Sequence, residues 1–187
     1  MLLFSEYDKS LENIYISQPV VDINLGDTNN YLVRFPKFKR VTHMILAFDA
    51  ENLFLKSKSS YGYFFNLESL LTDLEESENR GYFVVAVTSN SSRQKQYNPY
   101  PRGEQENFAT MHIESILEDH LPQIYGDYDI DVANLKKIVM GASMGGLMSI
   151  KTGILNPSFE NIISLSPAFW YGSVSYTHLR AHETTDN

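Results

Sequence analysis

The chain contains no cysteine, which excludes disulfides, thiolate metal sites and a cysteine nucleophile. It is also short of positive charge: 15 Lys and Arg face 23 Asp and Glu, giving a net charge of −8. This balance argues against nucleic-acid binding, which needs a basic stripe. No apolar stretch approaches the ~20 residues of a membrane span. The first residues lack the basic region and apolar core of a secretory signal. We therefore expect a cytoplasmic protein with neither nucleic-acid nor membrane partners.

What is present is typical of one globular domain: 187 residues, 43% hydrophobic and 20% charged. Short apolar runs alternate with amphipathic segments, which predicts an α/β fold whose mostly parallel central sheet has helices on both faces. Strands are expected at 14–25 (one or two), 31–35, 44–48, 82–87, 137–141 and 162–165. Residues 26–30 are expected to form a turn between the first strands.

The predicted helices cover residues 64–78, 108–121 and 147–155. In the first helix the leucines form one stripe and the acidic residues are expected to face solvent, with Gly81 as the cap. The second helix is expected to stop at Pro122. The polar segment 88–105 is expected to be a long surface loop.

The most informative motif is the pentapeptide Gly141-Ala142-Ser143-Met144-Gly145. It lies between an apolar strand-like run and an apolar helix-like run, the context in which a nucleophile elbow presents a serine on a sharp turn. Ser143 would be the nucleophile, and the N–H of Met144 would meet the oxyanion. The alternative is a glycine-rich structural turn with an incidental serine.

Residues 174–184 read VSYTHLRAHET, which matches the translation of a transposon-type sequencing adaptor. We therefore expect an incomplete domain over residues 1–172, truncated after the strand that follows the nucleophile helix, and a non-native tail over 173–187. His178 and His182 belong to this tail, so we do not assign either of them as a catalytic base. His43 lies at a strand entry, and His112 and His120 lie on a predicted helix, where solvated or packing roles are expected.

Several segments together resemble the putative esterase family of α/β-hydrolases, a group that includes esterase D, enterochelin esterases and the antigen 85 mycolyltransferases. Residues 141–148 resemble its G-x-S-M-G-G elbow, and residues 48–54 resemble its D-G-Q-N-L-F segment. Weaker matches are Tyr97-Asn98-Pro99 to E-Y-x-P, 121–125 to L-P-x-I-x-x-x-Y, and 164–170 to S-x-S-P-A-F-W. The resemblance runs from about residue 40 to residue 171 and implies an α/β-hydrolase fold.

The resemblance implies that Ser143 is the catalytic nucleophile and that the backbone N–H groups of Met144 and Glu51 form the oxyanion hole. Ala50 stands where the family has glycine, so the loop that aims the Glu51 N–H is expected to be stiffer. Asp49 is expected to bind substrate, orient the loop or cap it, and Asn52 has the same alternatives.

Trp170 would line the substrate cleft or lie in the core. The family's acid and histidine would follow later strands.

The implied reaction is hydrolysis of a small-molecule carboxylic ester through an acyl-enzyme on Ser143, with no metal or organic cofactor. The 187-residue chain is expected to have negligible activity, because it lacks the family's acid and histidine. An acyltransferase of the same fold and a catalytically silent binding module are the alternatives.

Overall fold

A computed structural model describes residues 2–60, 62–100 and 107–171. These residues form nine strands, of which seven make the main sheet in the order β1-β2-β5-β7-β6-β8-β9 and two make a separate ribbon, β3-β4. The strands are β1 Phe4–Asp8, β2 Leu11–Ser17, β3 Val20–Val21, β4 Thr28–Asn29, β5 Tyr31–Arg34, β6 His43–Phe48, β7 Tyr82–Val87, β8 Lys136–Ala142 and β9 Phe159–Leu165.

The main sheet is half antiparallel and half parallel. β1, β2, β5 and β7 pair antiparallel in succession, whereas β7, β6, β8 and β9 pair parallel. The parallel half contains the two continuous apolar runs of β6 and β7, in which almost every residue is buried. Such runs form because helices cover both faces of these strands. The predicted strands of this half are therefore confirmed.

Helices pack on both faces of the sheet, as predicted. They are α1 Leu67–Ser77, α2 Arg93–Gln96, α3 Phe108–Glu114, α4 Leu121–Asp127 and α5 Met144–Leu155. Leu67 and Leu71 of α1 join the apolar cluster on one face of the sheet. Helices α3, α4 and α5 contribute to the larger cluster on the opposite face. Among the described residues, no helix is long and apolar enough to cross a membrane.

Two predicted helix ends are wrong. The second helix does not stop at Pro122, since a π-helical turn at Ser115–His120 joins α3 to α4 and the proline lies in the first turn of α4. Pro122 has no N–H to donate, and the α-helical bonding pattern changes to a π-helical turn immediately before it. Gly81 does not cap α1, which ends at Ser77. A Cβ on Gly81 would lie 2.3 Å from the carbonyl oxygen of Arg40, so glycine is required for this close approach.

The expectation that the acidic residues of α1 face solvent is right for Asp73 and Glu76, which are exposed, and wrong for Glu68 and Glu75. Glu68 and Glu75 are buried, and both pair with the fully buried Arg34 of β5. The Arg34 Nε lies 2.7 Å from Glu68 Oε2, and Glu75 binds the guanidinium at Nη1 and Nη2. A buried carboxylate needs such a partner, so α1 presents charge as well as leucine to the sheet.

Two loop assignments change as well. Thr28 and Asn29 of the predicted turn pair with Val20 and Val21 as a short ribbon. The predicted surface loop contains α2 and the fully buried Tyr97. Its residues 101–106, like the predicted tail at 173–187, lie outside the described part of the chain.

Candidate active site

Ser143 lies on a sharp turn between β8 and α5, with its side chain exposed. Its backbone has φ 54° and ψ −118°, a region that L-residues occupy only under strain. Two hydrogen bonds hold this turn: the Ser143 N–H donates to Leu165 O at 2.9 Å, and the Ser143 carbonyl accepts from the Ala168 N–H at 3.0 Å. The segment that includes β9 therefore fixes the turn. The geometry is that of the elbow predicted from the pentapeptide.

Three glycines make this turn possible. A Cβ on Gly141 would lie 2.2 Å from Gly145 O, and a Cβ on Gly145 would lie 2.9 Å from Asp49 Oδ2. A Cβ on Gly146 would lie 2.8 Å from Ser164 Oγ. The clash at Gly141 is with backbone, so only glycine fits there. The clashes at Gly145 and Gly146 are with the ends of side chains, which would have to move to admit a Cβ.

Asp49 and Arg93 form an ion pair directly behind the elbow. Two hydrogen bonds of 2.7 Å join Arg93 Nε to Asp49 Oδ1 and Arg93 Nη2 to Asp49 Oδ2. Asp49 is 6% exposed and has φ 59°. Burial raises the pKa of the Asp49 carboxyl, and the hydrogen bonds and charge of Arg93 oppose that rise. The Asp49 side chain makes no capping bond to the turn that follows it, so capping is not its role.

The loop after β6 is anchored by its own polar residues. The Glu51 carboxylate accepts hydrogen bonds from the N–H and the hydroxyl of Ser89, which follows β7. Asn52 Oδ1 accepts from Ser59 Oγ at 3.2 Å and from Ser60 N–H at 3.1 Å. These side chains therefore fix the 3₁₀ turn Ala50–Asn52, the segment whose Glu51 N–H was predicted to point at the oxyanion.

A cavity of about 240 Å³ opens beside Ser143. Of the predicted site residues, Ser143, Asp49 and Asn52 line it. Trp170 is not among the lining residues and is 76% exposed, in edge contact with Tyr171. The expected core position of Trp170 is therefore wrong, and its predicted role in the cleft stays a prediction.

Sequence reasoning missed Arg93 and misjudged Tyr97. The guanidinium of Arg93 lies 5.0 Å from the centre of the Tyr97 ring, and its Nη1 lies 3.3 Å from the sulfur of Met144. Tyr97 also packs edge-on against Phe48 at 5.6 Å and stacks on His112 at 6.1 Å. The sequence feature that pointed to such a cation was Asp49, an aspartate directly after the apolar strand β6. The sequence alone does not say which cation pairs with it.

The three histidines outside the predicted tail are engaged elsewhere. His43 begins β6 and lies beside Lys136, the first residue of β8, in the strand register. Ser143 follows the other end of β8, so His43 lies roughly 20 Å from it, the length of the strand. His112 is fully buried, with its Nδ1 2.8 Å from Asp22 Oδ2. His120 Nδ1 lies 2.6 Å from the Tyr31 hydroxyl. The packing role expected for His112 and His120 is confirmed, and among the described residues no histidine is hydrogen-bonded to Ser143.

The fold is shared with several solved structures of low sequence identity. The siderophore hydrolase EstA from Aspergillus nidulans aligns with a TM-score of 0.70 at 17% identity, over 98% of this chain and 67% of that one. The BES protein from Bacillus cereus gives 0.66 at 17% identity, over 98% and 73%. The enterobactin esterase FES from Shigella flexneri gives 0.61 at 15% identity, over 89% and 41%. The chain thus spans about two thirds of the first of these relatives and less of the last. These likenesses confirm the predicted α/β-hydrolase fold.

A family model described as "Putative esterase" matches residues 25–186. No curated protein sequence matches the chain.

Proposed function

The chain belongs to the putative esterase family, and we propose that it acts on carboxylic esters with Ser143 as the nucleophile. The observation that carries this proposal is the exposed serine on a strained strand-to-helix turn at the N-terminus of α5. Solved structures with the same fold are named as siderophore hydrolases and enterobactin esterases, which supports a small-molecule ester as the substrate. The predicted cytoplasmic location is part of the same proposal.

In the first step the Ser143 hydroxyl attacks the ester carbonyl carbon. A base takes the hydroxyl proton, the tetrahedral oxyanion collapses, and the alcohol leaves after accepting a proton, so that an acyl-Ser143 ester remains. Water then attacks this ester and releases the acid. The second attack passes through an equivalent oxyanion.

The oxyanion would be held by backbone donors. The Met144 N–H lies in the first turn of α5, where N–H groups have no intrahelical acceptor and the helix dipole favours negative charge. The Glu51 N–H is the proposed second donor, on the turn that Asn52 and Ser89 anchor. Removal of one such donor typically costs about 3–4 kcal/mol of transition-state stabilisation.

The described residues provide no histidine base for Ser143, because His112 and His120 are hydrogen-bonded to other groups and His43 lies roughly 20 Å away at the far end of the strands. We therefore expect the 187-residue chain to turn over esters very slowly unaided, since loss of a triad member costs several orders of magnitude in rate. A diffusible base should replace part of the missing proton transfer.

Imidazole supplies such a base. When the purified chain is incubated with 4-nitrophenyl acetate and imidazole, we expect Ser143 to become acetylated. Peptide mass spectrometry of acid-quenched samples would locate the acetyl group. The initial burst of nitrophenol should exceed that of Ser143→Ala at least tenfold under the same conditions. Acetylation confined to other residues, or a burst that survives in Ser143→Ala, would contradict the proposal.

A second variant separates the diffusible base from the histidines of the predicted tail. The double variant His178→Ala/His182→Ala should behave as the unmodified chain does, with and without imidazole. Loss of unaided acetylation in this variant would show that His178 or His182 acts as a base, which would contradict their exclusion as catalytic bases.

A further inference from the structure

The cavity beside Ser143 has an apolar lining, which ester hydrolysis as such does not require. We propose that it binds the acyl half of the substrate, and that it selects an uncharged apolar acyl group of about six to eight carbons or a single aromatic ring. This inference rests on the proposed function of Ser143, because an acyl pocket must lie beside the attacking oxygen. The lining, the charge and the size of the cavity each support it.

The walls of the cavity are apolar and come from several separate elements. β6 contributes Phe48, the loop after it contributes Leu53 and Phe65, β8 contributes Met140, and β9 contributes Leu165. Leu53 and Met140 are buried members of the core cluster on this face of the sheet. The inner wall is therefore part of the close-packed core on this face of the sheet.

The rim of the cavity is also apolar, but it is accessible. Phe65 is 45% exposed and Leu165 is 39% exposed. Tyr63, which also lines the cavity, is more exposed still. Exposed aromatic and aliphatic side chains at the mouth of a pocket are the feature expected where an apolar ligand group enters.

The charged groups at the cavity are paired with each other. Both carboxylate oxygens of Asp49 bind the guanidinium of Arg93, and Asn52 Oδ1 accepts two hydrogen bonds from its own loop. An acyl group that carried a carboxylate would lose its hydration and gain no unpaired cation in return. The pocket therefore favours an uncharged acyl group over one that ends in an acid.

The volume of the cavity indicates the size of the acyl group. A dry apolar cavity of about 150 Å³ is large enough to hold benzene. The cavity beside Ser143, at about 240 Å³, is larger than that by more than half. This corresponds to an octanoyl chain or a substituted benzoyl ring.

The test uses graded 4-nitrophenyl esters, from acetate to decanoate, in imidazole buffer with the purified chain. The measured quantity is the rate at which Ser143 becomes acylated, followed by peptide mass spectrometry. Each methylene that enters the pocket should raise this rate about threefold to fourfold, the value of full burial. The rate should rise through the hexanoyl and octanoyl esters and level off at decanoyl.

A matched pair of substitutions links this preference to the cavity. Leu165→Trp places a large ring at the mouth of the cavity, whereas Leu155→Trp makes the same change at a leucine of equal exposure, 39%, at the end of α5. Leu155 does not line the cavity. Leu165→Trp should reduce the preference for hexanoyl over acetyl at least tenfold, and Leu155→Trp should leave it unchanged. Equal effects of the two substitutions, or no dependence on chain length, would overturn the pocket while acylation of Ser143 stands.

Failure of Ser143 to react with any ester would contradict the proposed function. A binding measurement then tests separately whether the cavity holds an apolar group. Saturation-transfer NMR with 2-octanone, which cannot acylate the protein, should show binding that Leu165→Trp weakens at least tenfold. Acetone serves as the short-chain comparison. Absence of 2-octanone binding to the unmodified chain would overturn the pocket whatever Ser143 does.

Discussion

At the scale of single residues, the backbone of Ser143 stores strain. Its φ of 54° combined with ψ of −118° is a conformation that glycine adopts readily and that other residues adopt at a cost of about 1–3 kcal/mol. The hydrogen bonds to Leu165 and Ala168 hold the residue there. This conformation places the hydroxyl on an exposed turn, so stability is given up at the proposed nucleophile.

Replacing Ser143 should reveal this cost. We expect Ser143→Gly to have a free energy of unfolding about 1 kcal/mol above that of Ser143→Ala, because glycine relieves the strain but alanine retains it. Urea denaturation of the two variants measures the difference, and neither variant keeps the hydroxyl. A glycine variant no more stable than the alanine variant would mean that the turn is unstrained.

At the scale of elements, α1 is joined to the sheet by charge as well as by its leucines. Arg34 is fully buried, and it also donates to Tyr82 O at 2.9 Å, where β7 begins. The Glu75 carboxylate in turn accepts from the backbone N–H groups of Lys37 and Tyr82. One arginine therefore ties β5, β7 and α1 together.

Removal of the arginine should be far more damaging than removal of a neighbouring surface cation. Arg34→Met leaves Glu75 buried without its cation and should lower the free energy of unfolding by about 3–5 kcal/mol. Lys37→Met removes a partly exposed partner of Glu68, at 3.2 Å, and should cost at most about 1 kcal/mol. Urea denaturation compares the two. Equal losses would show that burial of Arg34 adds nothing to its role.

The same network shows why the helix was predicted correctly and the burial of two of its acidic residues was not. Periodic leucines reveal a helix because the repeat is local, and the apolar runs of β6 and β7 reveal buried strands for the same reason. The partner of Glu75 lies 41 residues away in the sequence, and no local pattern indicates it. Arg93 was missed as the partner of Asp49, 44 residues away, for the same reason.

At the scale of the whole molecule, the buried His120 and the half-buried His43 couple folding to pH. Burial lowers the pKa of His120, and it also lowers the pKa of His43, with Arg80 and Lys136 adding to that effect. A histidine whose pKa is lower in the folded state binds fewer protons there than in the unfolded state. The protein should therefore lose stability as the pH falls below about 6.5, where unfolded histidine takes up its proton.

This dependence can be assigned to one side chain. Between pH 7.5 and 5.5 we expect the free energy of unfolding to fall by up to about 1.4 kcal/mol per pH unit for each such histidine, down to its folded-state pKa. His120→Gln can still bond to the Tyr31 hydroxyl but cannot titrate, so its stability should change less over this range. Thermal denaturation across the range measures both proteins, and identical slopes would show that His120 does not contribute.

The site as a whole was predictable to the extent that it depends on contiguous residues. The elbow needs glycine at fixed short spacings around Ser143, and the clashes at Gly141 and Gly145 show why. The cavity was not predictable, because Phe48, Met140 and Leu165 become neighbours only through the order of the strands.

β9 forms one border of the main sheet, and among the described residues only β8 pairs with it. Ile162, Ile163 and Leu165 are each about 40% exposed or more. A strand with open backbone donors and acceptors and apolar side chains on both faces is a template for intermolecular pairing. We therefore expect the working concentration of this protein to be limited by association through β9, even though its net charge of −8 favours solubility.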